Sequence, residues 1–144
     1  MSMTYAEDIA AWSREQASLI RQGRFDLVDI EFVAEEIEDV GKSEQRELAS
    51  RMAALLNHLL KWQLQPERRG ASWEITIRNQ RLGLSKRLAR TPSLNPMLTD
   101  PDWQEEIWAD ALAACAAETG LVTLPLTCPW SFAQVLTLDW LPAD

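Results

Sequence analysis

The chain has 144 residues, of which 47% are hydrophobic and 25% charged, and its formal net charge is −8. This length fits a single domain with a core of its own, and the apolar content excludes a disordered chain. Residues 1–12 lack the basic and apolar regions of a secretory signal, and no apolar run approaches the roughly 20 residues that span a bilayer. We therefore expect a cytoplasmic protein with no membrane partner.

The first predicted helix begins after Thr4, a natural N-cap that is followed three residues later by Glu7, as in a capping box. Gly23 ends the helix because glycine readily adopts a left-handed conformation. One face of this helix has the spacing of a buried stripe, made of Tyr5, Ile9, Trp12, Gln16 and Leu19.

The second predicted helix is acidic and ends at Gly41, and the third begins with Ser43 as its N-cap. The apolar stripe of the second helix consists of Ile30, Val33, Ile37 and Val40. The third carries the clearest stripe of the chain, Leu48, Met52, Leu55, Leu59 and Trp62. Pro66 and Gly70 then interrupt the helical pattern.

Ser72 caps a fourth predicted helix, which has two apolar seams. Its main stripe contains Trp73, Ile77, Leu84 and Leu88. A weaker seam repeats every seven residues, at Ile75, Leu82 and Ala89. This second seam predicts that the helix either packs between two neighbours or contacts another subunit.

The remaining predicted helices are marked by strong boundary signals. Asp100 and Pro101 are the preferred N-cap and first residue of a helix, and Gly120 ends it. Its stripe contains Ile107, Ala111, Leu112 and Cys115, and a last short helix runs through Phe132, Val135 and Leu136. With no alternating strand pattern, residues 1–144 are predicted to form one all-α domain, a bundle of five to six helices.

Charge is distributed unevenly along the chain. Residues 26–47 contain nine acids and two bases, whereas residues 61–90 contain eight bases and two acids. The split fits either two complementary helices inside one fold or a basic face that meets an anionic partner. The acidic balance of the whole chain argues against a nucleic-acid-binding protein.

Motifs of known chemistry are largely missing. The "VGKS" at residues 40–43 lacks the first glycine of a phosphate loop, because Glu36 occupies that position. The only histidine, His58, excludes the zinc and di-iron motifs that need two. We predict no metal and no cofactor, and we interpret Cys115 and Cys128 as small buried hydrophobic residues. His58 fits either a packed histidine or a base or ligand beside carboxylates of the second helix.

The segment from "EEIEDVGKSEQRELASRMAALLNHLLKWQLQPERRGASWEITIRNQR" to "PSLNPML" and then "AETGL" and "LPLTCPW" resembles a bacterial family, domain of unknown function number twenty-nine. The resemblance covers nearly the whole chain and implies a compact all-helical domain without an assigned activity. It also implies a set of matched polar positions, which are Glu35, Glu36, Glu38, His58, Lys61, Trp73 and Arg81. These side chains either converge at a site or form an ion-pair network between the acidic and basic helices.

Three functions follow from these observations. The first is a non-enzymatic helical binding or regulatory module that acts through protein partners and self-associates through the second seam of the fourth helix. The alternative is a small metal-dependent or acid–base enzyme that uses Glu35, Glu38, His58 and Arg81. A weaker alternative is nucleic-acid binding through the basic segment 68–90, with Trp73 as a base-stacking residue.

Overall fold

A computed structural model describes residues 3–143, and it contains α-helices and short 3-10 helices but no β-strand within that range. The α-helices are α1 (Ile9–Arg21), α2 (Ile30–Leu64), α3 (Ala71–Arg90), α4 (Pro101–Thr119) and α5 (Phe132–Leu136). The 3-10 helices are Phe25–Leu27, Pro66–Arg68 and Pro92–Thr99. The predicted all-α class is confirmed. None of the helices within residues 3–143 combines the length and the apolar character needed to cross a membrane.

The chain divides into two compact units, Met1–Glu44 and Gln45–Asp144. The carboxy-terminal unit contains the larger core. The stripe predicted for residues 48–59 is at its centre, since Leu48, Met52, Leu55 and Leu59 are completely buried. Side chains from the other three helices of this unit complete the core, among them Ile77, Leu84, Ile107, Ala111, Cys115 and Val135. The 3.6-residue periodicity of these helices is therefore the pattern of a shared apolar interior.

Helix α2 is continuous for 35 residues, so the predicted break between Gly41 and Ser43 is wrong. A glycine ends a helix when its backbone turns left-handed, as it does at Gly23 (φ 72°) and Gly120 (φ 73°). Gly41 does not adopt a positive φ. In a helix interior, a glycine costs only about 1 kcal/mol relative to alanine, and a long packed helix tolerates that cost.

Two predicted helix starts also shift. Thr4 Oγ1 accepts a hydrogen bond from the Glu7 backbone N–H at 3.3 Å, but α1 begins only after Asp8, whose Oδ1 accepts from the Ala11 N–H at 3.0 Å. The carboxylate of Asp8 also offers its negative charge to the positive end of the helix, which a threonine does not. Helix α3 begins after Gly70 without a side-chain cap, so Ser72 lies inside it.

The amino-terminal unit has a small core that is aromatic. Trp12 is buried, and its Nε1–H donates to Asp29 Oδ2 at 3.3 Å. The Asp29 backbone N–H donates in turn to Gln16 Oε1 at 2.7 Å. Tyr5 stacks on Phe32 with ring centroids 4.6 Å apart. These contacts form the interior of this unit, whereas Ile30, Ile37 and Val40 of the α2 stripe are exposed.

Candidate functional site

The seven polar residues predicted from the sequence belong to different units. Glu35, Glu36 and Glu38 lie in the amino-terminal unit, and His58, Lys61, Trp73 and Arg81 lie in the carboxy-terminal unit. Their convergence at one site stays a prediction. Within each unit, the contacts of these side chains show what each of them can do.

In the amino-terminal unit, Glu36 accepts a hydrogen bond from the hydroxyl of Tyr5, 31 residues earlier in the chain. This bond raises the pKa of Tyr5 to about 12, with burial and the charges of nearby acids acting in the same direction. Glu35 and Glu38 are exposed. Of the three predicted carboxylates, Glu36 therefore has a structural role as the partner of the tyrosine.

Lys61 forms an ion pair with an acid that is not among the residues predicted from the sequence. Its Nζ lies 2.5 Å from Glu118 Oε2, and the same oxygen accepts a hydrogen bond from Asn57 Nδ2 at 3.0 Å. The hydrogen bonds from Lys61 and then from Asn57 lower the pKa of Glu118. Glu118 is thus an ionised carboxylate that joins the carboxy-terminal end of α2 to that of α4.

The sequence holds one signal for Glu118, although a weak one. The residue lies two positions before the glycine that ends α4. A carboxylate is unfavourable at the negative end of a helix unless a cation or a donor compensates for it. Its position therefore predicts a partner, but it does not identify a lysine 57 residues away.

His58 and Trp73 adjoin this ion pair. The Nδ1 of His58 lies 2.9 Å from the carbonyl oxygen of Ala54, which can only accept, so Nδ1 carries the proton. The charge of His58 contributes to lowering the pKa of Glu118. The ring of Trp73 lies 5.8 Å from Lys61 Nζ, within the range of a cation–π contact. Of the predicted residues, Lys61 therefore contacts Glu118 directly, Trp73 contacts Lys61, and His58 acts on Glu118 through its charge.

The chemistry of this cluster is that of a structural contact between helices α2 and α4. A carboxylate held by two donors with a lowered pKa is a poor proton donor at neutral pH. Asn57 is 4% exposed, and its Oδ1 has no hydrogen-bond partner within residues 3–143. Within the same range, no group of three or more histidine, cysteine, aspartate or glutamate residues is placed to hold a metal ion.

Arg81 fastens the carboxy-terminal segment to α3. It is 3% exposed, and it donates from Nε to the Val135 carbonyl at 2.8 Å and from Nη1 to the Leu138 carbonyl at 2.9 Å. Burial lowers the pKa of Arg81, and the charge of Asp139 opposes that shift. An ion-pair network was one of the two alternatives for the positions that the resemblance implies, and the two hydrogen bonds of Arg81 go instead to main-chain oxygens.

A cleft of about 380 Å³ adjoins Arg81, between α3 and the segment after α5. Its lining combines aliphatic and charged side chains, namely Glu74, Ile75, Ile77, Arg78, Arg81, Leu138, Asp139 and Leu141. Residues 138–141 form the carboxy-terminal wall of the cleft. The sequence analysis did not predict this wall, because these residues carry no motif. Helix α3 supplies both basic residues of the cleft.

Two apolar seams of the helices are exposed. On α2, Ile30, Ile37 and Val40 expose 64%, 67% and 67% of their surface. On α3, Ile75 and Leu82 expose 57% and 40%. The predicted second seam of α3 therefore faces solvent, and the packing of α3 between two neighbours, which was one of the two predicted alternatives, is wrong.

Comparison with known proteins gives one result. The model of a protein family, Domain of unknown function DUF29, matches residues 4–141. No curated protein and no solved structure shows significant similarity to the chain.

Proposed function

The chain belongs to this family of unassigned function, and we propose that it is a non-enzymatic helical module that binds a protein partner through the exposed stripe of α2. The stripe is defined as Ile30, Val33, Ile37 and Val40. The observation that supports the proposal is that three of these four side chains, Ile30, Ile37 and Val40, expose about two thirds of their surface along one face of the helix, with the partly exposed Val33 between them.

Exposed aliphatic residues are common on protein surfaces when they are scattered singly. A continuous row is different, because contiguous apolar surface usually marks a place where another protein docks. The spacing of 30, 33, 37 and 40 alternates steps of three and four residues, as in the seam of a coiled coil. A partner that supplies an apolar helix face would fit this stripe.

We also propose that the partner is met in the cytoplasm of a bacterium. Cys115 and Cys128 are both free thiols. Free thiols are typical of proteins that work in a reducing compartment. We propose no nucleic-acid partner, because the net charge of −8 repels a polyanion.

Site-specific photocrosslinking in the producing cell tests the proposal. A photoreactive phenylalanine is placed at Ile30, Ile37 or Val40, and in matched control chains at Glu35 or Asp39. We expect discrete adducts of one mass from the stripe positions and none from the controls, which are exposed residues of the same helix. Equal labelling at both sets of positions, or no adduct at all, would contradict the proposed function.

A further inference from the structure

The cleft beside α3 is lined by four charged side chains, and none of them has an oppositely charged partner. Glu74, Arg78 and Arg81 lie on one face of α3, and Asp139 lines the cleft from the segment after α5. None of the four forms an ion pair within residues 3–143. All of them belong to the carboxy-terminal unit. The cleft therefore offers two cations and two carboxylates to a ligand.

Arg81 gives the cleft a buried positive charge that no carboxylate neutralises. Its Nε and Nη1 donate to neutral main-chain carbonyls, and its Nη2 has no hydrogen-bond partner within residues 3–143. A charge shielded from water attracts an opposite charge more strongly than a solvated one does. Arg78 is exposed in the same lining, and two of its N–H groups can donate in parallel to one carboxylate. The two arginines therefore favour a ligand with a carboxylate.

A purely anionic ligand does not match the whole lining, because Glu74 and Asp139 would repel it. Both of these carboxylates are exposed. Asp139 is near enough to Arg81 for its charge to oppose the lowering of the arginine's pKa. The cleft thus holds a cation and an anion as neighbours. An α-amino acid needs that arrangement, since a single carbon atom joins its ammonium and carboxylate groups.

The rest of the lining is aliphatic. It consists of Ile75, Ile77, Leu138 and Leu141, of which all but Ile77 are exposed. An aliphatic group that covers these side chains removes apolar surface from water, which favours binding. The volume of about 380 Å³ lies near the lower end of the roughly 300 to 1,000 Å³ that small-molecule sites occupy. The lining and the volume together fit a small ligand with an aliphatic chain.

We propose that this cleft binds a free α-amino acid with a branched aliphatic side chain, such as leucine. Arg78 and Arg81 attract its carboxylate, Glu74 and Asp139 attract its ammonium group, and the aliphatic walls cover its side chain. The inference goes beyond the proposed function. It concerns the carboxy-terminal unit and no residue of the α2 stripe, so either of the two can fail without the other.

Amide chemical shifts of the ¹⁵N-labelled full chain, titrated with leucine, test the proposal. We expect saturable shifts at residues 74–81 and 138–141, with a Kd below about 1 mM. The side-chain Nε–H of Arg81, which is held by the Val135 carbonyl, should shift with the same Kd. No saturable shift up to about 10 mM leucine, or saturable shifts only outside these residues, would overturn the proposal.

Three analogues of leucine test which of its groups the cleft recognises. N-acetylleucine lacks the ammonium group, leucinamide lacks the carboxylate, and glycine lacks the side chain. Each should bind at least roughly tenfold more weakly than leucine. The two blocked analogues also represent the two ends of a peptide. Equal binding of either one and of leucine would assign the cleft to a peptide terminus and overturn the free amino acid, and equal binding of glycine would overturn the aliphatic side chain.

Two variants test the charges, and both leave the anchoring Arg81 unchanged. Arg78→Gln should weaken leucine binding roughly tenfold, and it should leave the binding of leucinamide, which has no carboxylate, as it is in the natural chain. Glu74→Gln combined with Asp139→Asn should weaken leucine binding by a similar factor, and it should not weaken the binding of N-acetylleucine. Unchanged leucine binding in both variants would overturn the proposal.

Matched controls remove the same charges outside the cleft. Lys86→Gln replaces an exposed base of α3, and Glu106→Gln combined with Asp110→Asn replaces two exposed acids of α4. None of these three residues lines the cleft. Both controls should bind leucine as the natural chain does. A loss of affinity equal to that of the cleft variants would mean that net charge, rather than this lining, attracts the ligand, and it would overturn the proposal.

Discussion

Replacing Glu118 by glutamine removes the negative charge of the ion pair while it keeps the length of the side chain. Glu118 Oε2 lies 2.5 Å from Lys61 Nζ and 3.0 Å from Asn57 Nδ2. Hydrogen bonds to charged groups contribute about 1.5 to 3 kcal/mol, whereas fully exposed ion pairs contribute less than about 1 kcal/mol. The Glu118 side chain is 50% exposed and that of Lys61 is 12% exposed, so we expect a loss of about 1 to 1.5 kcal/mol at pH 7.

The loss should depend on pH with a defined sign. The pKa of Glu118 is lowered in the folded protein, so the unfolded chain takes up a proton first as the pH falls. The ion pair therefore contributes its full stability above the ordinary glutamate pKa of about 4.3, and that contribution disappears as the pH falls through the lower folded value. The difference between the natural chain and Glu118→Gln should be constant near neutrality and shrink below about pH 4.

Urea unfolding followed by tryptophan fluorescence measures both effects, and Glu106→Gln is the matched control. Glu106 is an exposed acid on the same helix, and its replacement should change the free energy of unfolding by less than about 0.5 kcal/mol. Combining Glu118→Gln with Lys61→Met in a double-mutant cycle isolates the pair. A coupling free energy near zero would refute the stabilising ion pair between Lys61 and Glu118. So would a difference in the free energy of unfolding between the natural chain and Glu118→Gln that persists undiminished at pH 3.

Three further outcomes are expected. Arg81→Met removes two hydrogen bonds to main-chain carbonyls, and it should lower the free energy of unfolding, measured in urea, by about 2 to 4 kcal/mol. The control Arg78→Met replaces an exposed arginine of the same helix and should lower it by less than about 0.5 kcal/mol. Similar losses for both variants would contradict the anchoring role of Arg81. Gly41→Ala should raise the free energy of unfolding by about 0.5 to 1 kcal/mol in the same assay, because the added Cβ meets no other atom and the position lies inside a helix. A destabilised variant would support two separate helices instead of a continuous α2. Tyr5 is the only tyrosine, so the absorbance of its phenolate measures its pKa directly. We expect a pKa of about 12 in the natural chain and a lower pKa in Glu36→Gln. Equal titration curves for the two chains would disprove the hydrogen bond between Tyr5 and Glu36.

Local chemistry explains which features the sequence predicts. The stripe from Leu48 to Leu59 repeats in helical steps, and every one of its apolar residues is fully buried. Asp100 caps α4 through its side chain, and Gly120 ends it with a left-handed backbone. Such signals act within a few residues, so the sequence itself contains both the group and its partner.

The candidate site was only partly predictable from the sequence. The groups that its side chains bind are either distant in sequence or are main-chain carbonyls, which every residue has. Lys61 and Trp73 are recognisable as polar and aromatic positions, yet the acid that binds Lys61 lies 57 residues away. Arg81 is among the positions that the family resemblance implies, but its acceptors are main-chain carbonyls. Every residue has a carbonyl, so no pattern of side chains identifies which ones an arginine will reach.

By itself, the sequence determined the all-α class, the main core stripe, the carboxy-terminal end of α1 and both ends of α4. These depend on periodicity, capping and backbone freedom, which are properties of short segments. Only the tertiary structure decided that α2 continues through Gly41, that Glu118 joins Lys61, and that the stripe of α2 stays exposed. An apolar stripe shows that a helix face favours burial, but whether its own chain covers that face depends on the packing of distant segments.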